Sequence, residues 1–320
     1  MKEMPSPKQI NIVFFGTPEL SIKTLKELIS AHFNIVAVVT QPASAKQRSN
    51  KLIPSPMAKF ADSLHIKIFT QAKIDDYLID NLTTLKPNLF VVVAYGNILP
   101  KKLLALPEFG TINLHPSLLP KYRGPSPVQT ALLEGETQTG VSIMLLDEKI
   151  DHGPILSQIT LPISNSDNAL TLNQRLFDQG AILLTNTLLE YLKNTKTALP
   201  QNHSQATFTK LIKKQAGLID WSKPAELINR QIKAYQPWPG AYSFSQNKIY
   251  KFFSSNIIEG CDLKPGEVYI KKPDVLVVGT GNKNLQILEL QMAGGKRLDS
   301  KTFLQGLRDN KLFFTTHPEA

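Results

Sequence analysis

The chain has 320 residues, 42% of them hydrophobic and 19% charged, with one cysteine and a formal net charge of +10. That length admits two domains with separate cores, and the longest apolar runs, such as Leu89 to Ala94, are far too short to span a bilayer. Cys261 has no partner for a disulfide and the opening MKEMPSPKQI has no apolar signal-peptide region, so a reducing, cytoplasmic setting without membrane attachment is expected.

Ile10 to Phe15 is apolar, ends at Gly16, and leads into a helical pattern from Glu19 to Ala31: strand, turn, helix. The alternation continues with a strand over Ile35 to Val39, a helix over Ser55 to Leu64, a short strand over Ile66 to Phe69 and a helix over Ile74 to Leu85. Leu89 to Ala94 is a continuous apolar run suited to a strand covered on both faces; a helix near Lys101 to Leu106 and a strand over Gly110 to Asn113 follow. Val141 to Leu146 and Ile155 to Ile163 read as later strands, and Ala169 to about Leu192 as one long helix. The expectation is an α/β domain with a doubly wound, mostly parallel sheet over residues 1–193.

Asn194 to Thr207 is polar and aperiodic, so it reads as an exposed linker between domains. From 208 to 320 the sequence predicts a helix over Pro224 to Tyr235 and five strand-like runs: Ala241–Ser245, Ile249–Phe253, Gly266–Ile270, Val275–Val278 and Leu285–Leu290. Five short strands suggest a small second β-barrel domain of the oligonucleotide-binding (OB) type, with a small sandwich as the alternative.

The first turn, Gly16-Thr17-Pro18-Glu19, lacks the G-x-G-x-x-G spacing of dinucleotide sites, and there is no G-x-x-x-x-G-K-[ST] loop. The six histidines have no zinc-site spacing, so no metal is expected. Ligands of open α/β sheets sit beyond the carboxyl ends of the strands, where Asn113-Leu114-His115-Pro116 lies. If the chain stays extended there, period two puts Asn113 and His115 on one side, and Pro116 keeps His115 out of the helical region. The polar loop Asp147 to Gly153 follows a strand of the same sheet and could bring Asp151 to that edge as a partner for His115. On these residues alone, a turn-capping Asn113 and a structural His115 are the favoured reading.

The run Asn113 to Pro120, followed by Arg123-Gly124 and by Asp151 with Gly153, closely resembles the folate-dependent formyltransferases. Phe15-Gly16-Thr17-Pro18, Thr40-Gln41-Pro42, Val92 to Gly96 with Leu99-Pro100, and Gln236 to Gly240 fit the same family, and together they extend over nearly the whole chain. The resemblance implies Asn113, His115 and Asp151 as catalytic residues, Ser117, Leu118, Leu119 and Pro120 as the border of the folate pocket, and 10-formyltetrahydrofolate as formyl donor.

The acceptor amine is a separate question, since members of the family differ in it. The resemblance implies initiator methionyl-tRNA, and two features agree. Gln41 to Ala61 carries Lys46, Arg48, Lys51 and Lys59 without an acidic residue, where similar enzymes have a basic loop at the acceptor stem. Residues 208–320 hold 17 Lys and Arg against 10 Asp and Glu, and Lys223, Arg230 and Lys233 share a helix face opposite Leu227, Ile228 and Ile232. Lys46, Arg48, Lys51, Arg230 and Lys233 are the candidate tRNA contacts, and the enzyme is expected to be monomeric. An amino-sugar nucleotide as acceptor is the enzymatic alternative; an RNA-binding protein without catalysis would explain the charge but leave Asn113, His115 and Asp151 idle. Trp221 and Trp238 are expected in core or interdomain packing.

Overall fold

A computed structural model describes residues 6–46, 49–260, 262–307 and 312–318. The chain divides into two compact units: Met1–Pro127, Gln138–Pro162 and Asn173–Thr209 form one, and Val128–Thr137, Ile163–Leu172 and Lys210–Ala320 the other.

In the first unit the strands are β1 (Asn11–Gly16), β2 (Asn34–Thr40), a hairpin of β3 (Ser44–Lys46) and β4 (Ser49–Ile53), β5 (Ile68–Thr70), β6 (Leu89–Val93), β7 (Thr111–His115), β8 (Gln138–Leu145) and β9 (Ile155–Pro162). Apart from the hairpin they form one sheet in the order β5-β2-β1-β6-β7-β8-β9. β5 through β7 are parallel, whereas β8 runs antiparallel to both β7 and β9. The mostly parallel, Rossmann-like α/β sheet expected from the sequence is therefore present. β6 is buried at every position, as its apolar run predicts for a strand covered on both faces, and so is β7 despite its polar Thr111, Asn113 and His115.

The crossovers are α1 (Ile22–Ser30), α2 (Pro56–Ser63), α3 (Asp76–Thr84) and α4 (Lys101–Leu104). Ser55 caps α2 by accepting from Ala58 N at 3.0 Å, with Pro56 at the first helical position, and Asp75 caps α3 through Leu78 N at 2.9 Å. Val13, Phe15, Val39, Phe90 and Val92 share one core with Leu78 and Leu82 of α3 and Leu103 of α4. α5 (Pro127–Glu134) and the long α6 (Ala169–Leu192) follow. Gly180 of α6 lets this helix close on the sheet: a Cβ there would lie 2.8 Å from Leu114 Cδ1. Leu114 thus faces α6, and the pleat turns its neighbours Asn113 and His115 to the opposite face.

The second unit contains α7 (Ala225–Ala234), β10 (Ala241–Ser245), β11 (Lys248–Ile258), β12 (Val268–Lys271), β13 (Val275–Gly279), β14 (Asn284–Met292), β15 (Leu298–Asp299) and α8 (Ser300–Gly306). Its antiparallel sheet has the order β10-β11-β14-β13-β12, with β15 on β14. Thr315 bridges to Phe244 on β10 and Phe313 to Glu267 beside β12, so one segment joins both outer edges into a small barrel. Trp221 sits in its core, donating Nε1–H to Ser243 Oγ at 3.0 Å and meeting Phe252 edge-on at 5.4 Å.

Several expectations need correction. Ile228 and Ile232 of α7 are buried, but Leu227 is 47% exposed, because only two of the three apolar residues fall on the face that meets the sheet. Trp238 is 53% exposed and does not join the core with Trp221. β7 runs on to His115 rather than stopping at Asn113. The β3/β4 hairpin, α5 and α8 have no counterpart in the elements predicted from sequence.

Candidate active site

The carboxyl ends of β1, β2 and β6 are knitted together by the residues that follow them. Thr17 Oγ1 donates to Tyr95 O at 2.9 Å and accepts from Gln41 N at 3.3 Å, while Gln41 Nε2 reaches the same carbonyl at 3.4 Å. Gly96, at φ +97°, leaves that rim open: a Cβ there would have nothing nearer than Gln41 Nε2 at 3.9 Å.

Next along the edge stands β7, whose hydrogen bonds to β6 and β8 hold Asn113 and His115 rigidly. Asn113 is 9% exposed, and its side-chain amide makes no hydrogen bond with any described residue. Without an internal partner and with part of its surface still open, this amide is available to bond a ligand at the strand edge. His115 is buried; Nε2 lies 3.0 Å from Tyr122 O and Nδ1 lies 3.6 Å from Asp151 Oδ2. The Tyr122 contact makes Nε2 the donor nitrogen. At 3.6 Å the second approach is electrostatic contact rather than a hydrogen bond. Asp151 Oδ2 instead accepts from Gly124 N at 2.7 Å. The structure thus brings His115 and Asp151 together across 36 residues of sequence, and puts Asn113 on the same strand face.

Tyr122 (φ 61°) and Asp151 (φ 48°) both lie in the left-handed region, unfavourable for such side chains and concentrated at sites where geometry is imposed. Gly124 has φ +107°, a conformation that only glycine adopts freely, which lets its N–H point at Asp151.

Ser117 to Pro120 continue from β7. Ser117 Oγ donates to Lys121 O at 2.7 Å, Ser142 Oγ of β8 donates to Ser117 O at 2.6 Å and accepts from Leu119 N at 3.0 Å, and Gln158 Nε2 of β9 reaches Leu119 O at 2.9 Å. Leu119 is buried; Leu118 and Pro120 are partly exposed along the edge. Sequence reasoning missed Ser142 and Gln158. Their position on the two strands beyond β7 was the only signal, and the strand order was not readable.

Arg123 is buried with its guanidinium on Gln201 Oε1 (2.6 Å from Nη2) and on His203 Nδ1 (2.9 Å). His203 stacks on His152 at 4.0 Å, and His152 Nδ1 lies 2.6 Å from Asp147 Oδ2. Partial desolvation, reinforced by the nearby His152 and Arg123, holds the imidazole of the exposed His203 below its ordinary pKa.

Of the candidate tRNA contacts, Arg48 lies outside the described residues, as do the side chains of Lys46 and Lys51; their backbones belong to the β3/β4 hairpin. Cys261 also lies outside the described residues. Arg230 Nη1 donates to Glu134 O at 3.3 Å and Lys233 Nζ to Asn165 O at 2.8 Å, both within the second unit, and burial lowers the Lys233 pKa. Lys233 borders an open polar cleft of about 680 Å³ there, lined also by Asn165, Asn168, Asn229 and Arg297. Among the described residues, no group of three or more His, Cys, Asp or Glu could hold a metal ion, and no helix is long and apolar enough to cross a membrane.

An α/β sheet carrying an enclosed amide, an imidazole and a carboxylate at its carboxyl edge, followed by a separate small barrel, is the layout of a group-transfer enzyme. The chain belongs to the formyl transferase family: residues 9–188 match the formyl transferase domain and 211–308 the formyl transferase C-terminal domain. It is 40% identical over 303 residues to a methionyl-tRNA formyltransferase of Roseiflexus sp. (strain RS-1), covering 93% of each chain. Its fold resembles that of an N-formyltransferase from Helicobacter canadensis solved with folinic acid and dTDP-3-aminofucose (TM-score 0.66, 21% identity, 87% of this chain and 98% of that one). It also resembles HypX from Aquifex aeolicus in complex with tetrahydrofolic acid (TM-score 0.64, 18% identity, 95% of this chain); the present chain spans half the length of HypX.

Proposed function

We propose that the chain transfers the formyl group of 10-formyltetrahydrofolate to the α-amine of initiator methionyl-tRNA, with Asn113, His115 and Asp151 as its catalytic residues. The observation that carries this reading is the enclosed, unbonded amide of Asn113 on the strand face it shares with the His115–Asp151 pair. The likeness to a curated methionyl-tRNA formyltransferase over 93% of both chains supplies the acceptor.

In the reaction the amine nitrogen bonds to the formyl carbon, the carbon–N10 bond of the donor breaks, the amine loses a proton and N10 gains one. Asn113 donates its side-chain N–H to the oxyanion of the tetrahedral intermediate, and one such donor is typically worth about 10²–10³ in rate. His115 gives the second hydrogen bond when its Nε2–H turns from Tyr122 O to the oxyanion. Asp151 orients the imidazole and takes the amine proton, directly or through water. The ester of an aminoacyl group withdraws electrons, so the amine pKa falls below the roughly 7.7–8.0 of a chain terminus and much of it is neutral at physiological pH. Ser117, Leu118, Leu119 and Pro120 border the folate beside the open rim at Gly96. Orientation of the two substrates supplies the remaining acceleration.

Residues 1–193 form the catalytic part and 208–320 the tRNA-binding part, which is the more basic of the two. Lys46, Arg48, Lys51, Arg230 and Lys233 meet the phosphates, each neutralised phosphate adding to the salt dependence of binding. The enzyme works as a cytoplasmic monomer. The test offers the purified protein 10-formyltetrahydrofolate with charged initiator tRNA, charged elongator tRNA and an amino-sugar nucleotide. Formylation of initiator methionyl-tRNA with affinity falling steeply as salt rises is expected. Modification of the sugar nucleotide alone, with no salt response, overturns the acceptor assignment.

A further inference from the structure

Tyr122 holds a left-handed conformation that an aromatic residue rarely adopts, and Asp151 holds one that is uncommon outside glycine though tolerated by Asp, so the contacts around both loops matter. Both loops touch one segment, residues 199–209, most of which the sequence reads as part of a connection over Asn194 to Thr207. Leu199 pairs with Ile155 just beyond the Asp151 loop, exchanging two hydrogen bonds of 2.8 Å. Thr207 Oγ1 accepts from Tyr122 N at 2.8 Å, Thr207 O from Arg123 N at 2.9 Å, and Thr209 N donates to Arg123 O at 2.7 Å. Between these anchors Gln201 is buried and uses both ends of its amide. Nε2 donates to Asp151 O at 2.9 Å and to Gly153 O at 2.7 Å, while Oε1 accepts from Arg123 Nε at 3.2 Å and Nη2 at 2.6 Å.

We propose that Gln201 is a positioning residue for the transfer reaction: through its two N–H bonds it fixes the Asp151 backbone so that the carboxylate faces His115. This rests on the catalytic reading of Asp151 given above. Gln201 touches no reacting atom. Its neighbours on the chain tie down Tyr122, whose carbonyl holds the other side of the same imidazole. One segment therefore sets both contacts of His115, and Gln201 sets the acidic one. An amide suits the position because one group must donate to two carbonyls while accepting from a guanidinium.

The assay compares steady-state kinetics of wild type, Gln201→Ala, Gln201→Glu, Asp151→Asn and the double variant Gln201→Ala/Asp151→Asn, with thermal unfolding measured for each. Gln201→Ala is expected to lower kcat on the order of 10²-fold, as small misplacements of reacting groups do, with KM for both substrates little changed. Gln201→Glu keeps an acceptor for Arg123 but cannot donate to the two carbonyls, so it should be as slow as Gln201→Ala. Wild-type kcat in Gln201→Glu would show that only the Arg123 link matters and would overturn the proposal. In the Asp151→Asn background, Gln201→Ala should cost little further rate, because its effect passes through that carboxylate. Fully additive losses, or losses that only follow unfolding, overturn it as well. Wild-type turnover in Asp151→Asn removes the underlying catalytic reading. A slow Asp151→Asn beside a normal Gln201→Ala rejects the positioning role alone.

Discussion

Ser142→Ala tests whether the edge proposed to border the folate is set by one buried hydroxyl. Ser142 is fully enclosed on β8, opposite His115 in the strand register, and its Oγ makes three hydrogen bonds: to Ser117 O, from Leu119 N and from Gln158 Nε2. Removing the oxygen leaves the Ser117 carbonyl and the Leu119 N–H without that partner, whereas Gln158 keeps its bond to Leu119 O. A buried group stranded in this way costs about 1–3 kcal/mol, so two of them, with partial relaxation, give about 2–4 kcal/mol. In a unit of this size that lowers the melting temperature by on the order of 5–10 °C. Because the loss is local to Ser117–Pro120 and His115 stays in its strand, KM for 10-formyltetrahydrofolate should rise more than kcat falls. Scanning calorimetry gives the first quantity and initial rates over a range of donor concentrations the second. A stability change under about 0.5 kcal/mol together with an unchanged KM would refute the reasoning.

Asn113→Ala should reduce kcat by about 10²–10³ with the melting temperature nearly unchanged, since the lost amide has no internal partner to strand; single-turnover kinetics measure it. Gly124→Ala forces a side chain into φ +107° and sets its Cβ 2.8 Å from Thr209 Oγ1, so stability should fall by about 1–3 kcal/mol and turnover with it, read by chemical denaturation and activity on one preparation. The depressed pKa of His203 has partial desolvation as its first cause, then His152, Arg123 and Lys149, with Asp147 opposing. The unfolded chain then binds this proton before the folded one does, so the contribution to stability is complete above pH 6.5 and is lost as pH falls through the folded value. His203→Asn should lack that loss, and urea midpoints for both proteins across the acid range would reveal a difference if the sign is right.

Much of the first unit was legible because its physics is local. β1, β2 and β6 are continuous β-branched or aromatic runs, and the caps at Ser55 and Asp75 start helices where the period changes. α5 was not, because Pro125 interrupts the pattern just before it and its eight residues, Pro127–Glu134, have a weak apolar face. Nor was the reversal of β8, since a strand's direction is set by its crossover and leaves no trace in its own residues. Period two correctly set Asn113 and His115 together, and the Asp147–Gly153 loop was a sound place to seek their carboxylate. What holds them there was invisible: Tyr122 acts through its carbonyl, Gly124 through its N–H, and Gln201 from a stretch whose polarity suggested solvent. Backbone groups carry no residue signature, and a polar side chain buried by distant contacts looks in sequence like an exposed one. The same limit explains Leu227 and Trp238, apolar residues whose exposure depends on where neighbouring elements end.

The segment carrying Phe313 and Thr315 bonds to β10 on one side and beside β12 on the other. Until it docks, the nearly assembled unit presents two bare rows of amide and carbonyl groups, each able to recruit a strand from another chain. Any variant that weakens this docking should therefore expose both edges at once and make the unit prone to aggregate.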